Sequence, residues 1–108
     1  MTFEELLKDV ARIKCDEKRS MTADCCEVVV STGESKKLNE VLSSYFGPPQ
    51  KMRGGNFSSE ARQHAELYGG VRSGQTMYFR KLETGLELAL LWPWSNGMSL
   101  TVKIIRNQ

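Results

Sequence analysis

Apolar residues recur along this chain at two different spacings, and the change from one to the other divides it. Near the start, Phe3, Leu6, Leu7, Val10 and Ile13 return every third or fourth position, the period of one helical face. Thr2, with Glu5 three residues on, makes a capping-box pattern just ahead of them, so a first helix is predicted from about Phe3 to Lys18. Leu38, Val41, Leu42, Tyr45 and Phe46 form a second helical stripe. Ser35 is placed to cap that helix, Gly47 to end it, and Pro48-Pro49 to prevent its continuation. Ser59 can cap a short third helix carrying Ala61, His64, Ala65 and Tyr68 on one side and stopping at Gly69-Gly70.

Elsewhere the period shortens to that of strands. Glu27-Val28-Val29-Val30-Ser31 is a β-branched run closed by Thr32-Gly33, and three consecutive valines imply burial on both faces. Thr76 to Glu83, Leu86 to Trp92 and Met98 to Arg106 read as three consecutive antiparallel strands. A three-residue Ser95-Asn96-Gly97 loop with Gly97 left-handed would form a type I turn with a bulge. It would set Trp94 opposite Met98, Trp92 opposite Leu100, Leu90 opposite Val102 and Leu88 opposite Ile104, so that every large apolar pair shares one face. A two-residue Asn96-Gly97 turn would set Leu90 against Lys103 and is rejected for that reason. A bulged turn at Glu83-Thr84-Gly85 would bring Lys81 opposite Glu87 and put Met77 and Phe79 with Ala89 and Leu91. Arg80 would then lie beside Leu88, an inward charge suited to an edge strand.

These elements predict an α+β domain spanning 1–108, its N-terminal helices packed on one face of an antiparallel sheet of about four strands that ends in a three-stranded C-terminal meander. A chain of 108 residues, 40% hydrophobic, suits a single core. No apolar run approaches the roughly 20 residues of a membrane-spanning helix. An acidic Met1-Thr2-Phe3-Glu4-Glu5 start is unlike a signal peptide, and the three cysteines, Cys15, Cys25 and Cys26, form no disulfide framework. A cytoplasmic protein with no membrane association is therefore expected.

Charge is unevenly spread. Residues 1–47 carry seven basic and nine acidic side chains. Residues 48–82 carry Lys51, Arg53, Arg62, Arg72, Arg80 and Lys81 against Glu60 and Glu66. The segment 47–58 reads as a long surface loop, and with the glycine-rich 69–74 stretch it offers the anion-binding candidates Lys51, Arg53, Arg62, Arg72 and Ser73. Neither glycine pattern is completed to a nucleotide-binding loop.

Candidate chemistry adds little. Adjacent Cys25-Cys26 would direct their side chains apart, which is poor geometry for one metal ion, so no metal or cofactor is expected. His64 reads as a packed histidine, and no nucleophile and base signature accompanies it. Trp92-Pro93-Trp94 reads as core rather than as a base-stacking surface. The expectation is a non-enzymatic binding or interaction domain with a protein partner, or one that self-associates as a homodimer through a second apolar sheet face. The alternative is a phosphate or nucleic-acid binding module working through the basic, glycine-rich 48–82 region.

Overall fold

A computed structural model of the chain describes residues 2–49, 59–70 and 75–107, with residues 59–62 described by their backbone alone. Its elements are α1 (Phe3–Arg12), β1 (Cys15–Met21), β2 (Cys25–Ser31), a 3-10 turn (Thr32–Glu34), α2 (Ser35–Phe46), α3 (Ser59–Glu66), β3 (Thr76–Lys81), β4 (Leu86–Pro93) and β5 (Ser99–Asn107). The class is α+β, as the sequence implies, and β3, β4 and β5 form the C-terminal meander. The five strands make one antiparallel sheet in the order β1-β2-β5-β4-β3.

The first helix keeps its predicted start. Thr2 Oγ1 accepts from the Glu5 amide, and the Glu5 carboxylate accepts from the Thr2 amide, so the capping box is complete. Hydrogen bonding to the Glu5 carboxyl, from the Thr2 amide first and the Thr2 side chain second, holds it below its ordinary value. The helix ends at Arg12 rather than Lys18, because Ile13 turns to extended backbone and is itself buried. The charged stretch beyond it becomes β1, a fifth strand in place of the expected four. No apolar alternation marks Cys15–Met21. Its side chains are exposed or half-buried, and it is a strand because the free edge of β2 pairs with its backbone.

Ser35 is the first residue of α2 rather than its cap; the preceding 3-10 turn feeds directly into the helix, and no side chain caps it. Gly47 ends α2 with φ of 82°, as expected of a left-handed glycine terminus. Leu38 and Leu42 bury completely, with Val41, Tyr45 and Phe46 packed beside them. Val28, Val29 and Val30 are all buried, in accord with burial on both faces of β2.

Both expected turn lengths in the meander are off by one. Gly97 does take positive φ, 70°, but the β4–β5 loop holds four residues, 95–98. The Trp94 amide donates to the Ser99 carbonyl at 2.9 Å and the Gly97 amide donates back to Trp94 at 3.0 Å. Thr32 pins that loop from outside, its amide donating to the Met98 carbonyl and its hydroxyl to that of Gly97, each at 2.9 Å. These contacts take Met98 out of the ladder. Leu90 consequently faces Lys103, the pairing rejected from the sequence, while Leu88 faces Ile105 and Trp92 faces Thr101.

Lys103 tolerates that position because its ammonium reaches the edge of the patch, 3.8 Å from Glu27 and 3.4 Å from the Tyr68 carbonyl, while its stem lies along the sheet. At the other turn the Leu82 amide donates to the Gly85 carbonyl at 2.8 Å, leaving only Glu83 and Thr84 between them. Arg80, not Lys81, therefore faces Glu87, and Lys81 faces Leu86. Met77 and Phe79 join Leu88 and Leu90, and Tyr78 takes their expected place beside Ala89. β3 does lie at the sheet edge.

Two apolar clusters result, one on each side of the sheet. α1 and α2 cover Cys26, Val28, Val30, Tyr78, Ala89, Leu91, Val102 and Ile104. α3 lies on the opposite face, where Ala65 and Tyr68 pack with Met77, Leu86, Leu88, Leu90 and Ile105. The two N-terminal helices share a face as predicted, and the third does not join them.

Candidate functional site

The inner strand β4, between β5 and the edge strand β3, is buried from Leu86 to Leu91, and within that run Glu87 is the one charged residue. It is 2% exposed. A carboxylate so placed must be compensated by close partners, and the strand register supplies them: β3 sets Arg80 opposite Glu87 on one side and β5 sets Arg106 opposite it on the other. From above, α2 contributes Tyr45, whose hydroxyl donates to Glu87 Oε1 at 2.6 Å. Arg106 Nε stands 3.7 Å from Glu87 Oε2.

Aromatic rings complete the arrangement. The Arg80 guanidinium lies 5.3 Å from the centre of the Tyr45 ring, and that of Arg106 lies 5.6 Å from the Phe3 ring, within cation–π range. Burial, the hydrogen bond to Glu87 and the charge of Glu87 push the Tyr45 hydroxyl up to about 12, against the opposing pull of Arg80 and Arg106. At neutral pH Tyr45 is therefore a fixed hydrogen-bond donor and a poor proton shuttle.

Two clefts open around this cluster. One, of about 450 Å³, is lined by Thr2, Phe3, Glu4, Tyr45, Arg80, Leu82, Glu87 and Arg106. The other, of about 560 Å³, runs between α1 and the β1–β2 hairpin and is lined by Phe3, Leu7, Ala11, Met21 and Ala23 with Glu4, Lys8, Lys18, Thr22, Asp24 and Arg106. Phe3, Glu4 and Arg106 border both. The Arg106 amide donates to the Asp24 carbonyl at 2.9 Å, tying the end of β5 to the hairpin turn.

The sequence candidates fall elsewhere. Lys51, Arg53, Arg72 and Ser73 lie outside the described residues; Arg62 lies in α3, and its side chain is likewise outside the description. His64 is half-buried and stacks on Phe79 with centroids 5.7 Å apart. Cys25 packs toward the α3 face and Cys26 toward the α1/α2 face, the divergence expected of neighbours on a strand. Burial, with Cys25 and Cys15 nearby, pushes the Cys26 thiol up to about 11. Among the described residues no group of three or more His, Cys, Asp and Glu side chains is arranged to hold a metal ion, and no helix is long and apolar enough to cross a membrane.

Trp92 packs on the α3-side cluster, its indole N–H donating to the Gly70 carbonyl at 2.9 Å. Trp94 is only partly covered, at 39% exposure, with its N–H on Thr101 Oγ1. Core packing thus describes the first tryptophan and not the second.

Sequence reasoning missed the Arg80, Glu87, Arg106 and Tyr45 cluster. Its signal was the lone charge inside an otherwise apolar inner strand; the one-residue error at the β3–β4 turn assigned that charge to Lys81 instead of Arg80, and the error at the β4–β5 turn hid Arg106. Comparison with known protein families, with curated proteins and with solved structures finds no match.

Proposed function

We propose that this chain is a non-enzymatic interaction domain that self-associates through the groove between α1 and the β1–β2 hairpin. The observation that carries this reading is the groove's composition, an apolar floor of Leu7, Ala11, Met21 and Ala23 with charges of both signs around it. Met21 is 43% exposed there, and covering such a side chain is favourable. A rim carrying Lys8 and Lys18 along with Glu4 and Asp24 is self-complementary across a two-fold axis, where each sign meets its opposite on the second copy. The groove is a better candidate than the outer sheet face, since α3 already packs there.

Sedimentation equilibrium over a range of concentrations tests the reading. A mass that rises with concentration, and no longer does so in Met21→Glu and Ala11→Glu, supports it. A monomer at every concentration overturns it, and a dimer indifferent to both substitutions overturns the choice of surface. A second reading, polyanion binding through Lys51, Arg53, Arg62, Arg72 and Ser73, is supported by the six basic and two acidic side chains of residues 48–82. Affinity for single-stranded DNA that falls steeply with salt and disappears in an Arg53→Gln, Arg72→Gln double variant would favour it over the first.

A further inference from the structure

Three strands in register place Arg80, Glu87 and Arg106 side by side on one sheet face, and the cleft they line is separate from the floor of the groove. We propose that this cleft of about 450 Å³ is a binding site for a small organic monocarboxylate, held by the Arg80 guanidinium with Arg106 beside it. The apolar part of the ligand lies against Phe3 and Leu82.

Charge sets the ligand class. Two guanidinium groups face one buried carboxylate, and the rim's Glu4 is paired with Lys8 at 3.6 Å, a residue just outside the lining; with Lys8 counted, the cleft and its rim carry one net positive charge. That balances one carboxylate, whereas a dianionic phosphate would leave a charge uncompensated at a partly desolvated site. Preorganisation sets the geometry. Glu87, itself fixed by the Tyr45 hydroxyl, holds Arg106, and the Tyr45 ring supports Arg80. A guanidinium resting on an aromatic face retains edge N–H donors in the fork that matches a carboxylate. Arg80 is solvent-exposed, so a ligand can reach it, and the volume falls in the usual range of small-ligand sites.

The test is a titration of the ¹⁵N-labelled protein with 3-phenylpropionate, followed by NMR, beside the neutral 3-phenylpropionamide and inorganic phosphate. Saturable shifts at Arg80, Glu87 and Arg106 are expected with the acid, with at least tenfold weaker binding of the amide and of phosphate. Arg80→Gln should weaken the acid by about tenfold or more, as loss of a charge-assisted hydrogen bond does. Lys81→Gln removes the same charge one position along β3, on the other face, and should change affinity by less than about twofold, as expected of an exposed charge screened by solvent. Absence of saturable shifts overturns the proposal, as does equal weakening by the two substitutions. Equal binding of the amide overturns the carboxylate assignment, and equal or tighter binding of phosphate overturns the monoanion assignment.

Discussion

The two faces of β4 solve the same burial problem differently. Toward α3 the strand presents Leu86, Leu88 and Leu90, which close against Met77, Ala65 and Ile105 with no buried charge among the described residues; Lys103 lies within that face but carries its ammonium out to Glu27. Toward α1 and α2 it presents Ala89 and Leu91 beside Glu87, which is buried and held in place by Tyr45 and Arg106. A flexible lysine can leave an apolar face, whereas a short glutamate flanked by strands on both sides cannot, so the fold brings partners to it. The face with the fixed charge borders the two clefts described above.

The largest effect should come from truncating each face in turn. Leu90→Ala and Leu91→Ala remove fully or almost fully buried side chains from opposite sides of one strand. Each is expected to cost about 2 to 5 kcal/mol in chemical denaturation. A loss below about 0.5 kcal/mol for either would show that its face is not packed, since surface changes fall in that range.

Glu87→Ala separates the two faces more sharply. It leaves the Tyr45 hydroxyl and Arg106 without their carboxylate, and a loss of about 1 to 3 kcal/mol is expected for polar groups stranded in this way. Tyr45→Phe should reproduce part of that loss, and additivity of the two would show that they do not act as one unit.

Gly97→Val tests the turn that decides which side chains share a face. With φ of 70°, a β-branched residue there should cost roughly 1 to 2 kcal/mol. Nothing crowds the added Cβ, so the cost would be backbone strain alone. Cross-strand NMR contacts between Leu90 and Lys103 should accompany the intact loop; contacts between Leu90 and Val102 would contradict the pairing.

A smaller effect follows from Cys26. Its folded thiol is raised from 9.0 to about 11 by burial first and by its cysteine neighbours second. The folded chain therefore binds the proton more tightly than the unfolded chain, and this contribution is complete below about pH 9 and lost as pH rises toward 11. Stability of Cys26→Ala should fall less over that interval than stability of the natural sequence. Iodoacetamide at pH 8 should modify Cys26 more slowly than Cys15 or Cys25, as mass spectrometry of the peptides would show.

Local pattern was enough for the start of α1, the buried stripe and stop of α2, for β2 and for the existence of the meander. The capping box at Thr2 and Glu5, the stripe from Leu38 to Phe46 and the stop at Gly47 each rest on contacts within a few residues, which the sequence carries in full. The same holds for the positive φ of Gly97, which any tight turn at Asn96-Gly97 would favour. What the tertiary structure decided is what depends on a distant partner. Cys15–Met21 is a strand only because β2 offers it an edge, and the β4–β5 loop has four residues because Thr32 binds its carbonyls. One residue of loop length is invisible to hydrophobic periodicity, yet it exchanges the faces of a strand. That exchange set Arg80 and Arg106 on either side of Glu87, so the candidate cleft could be read only once the register was known.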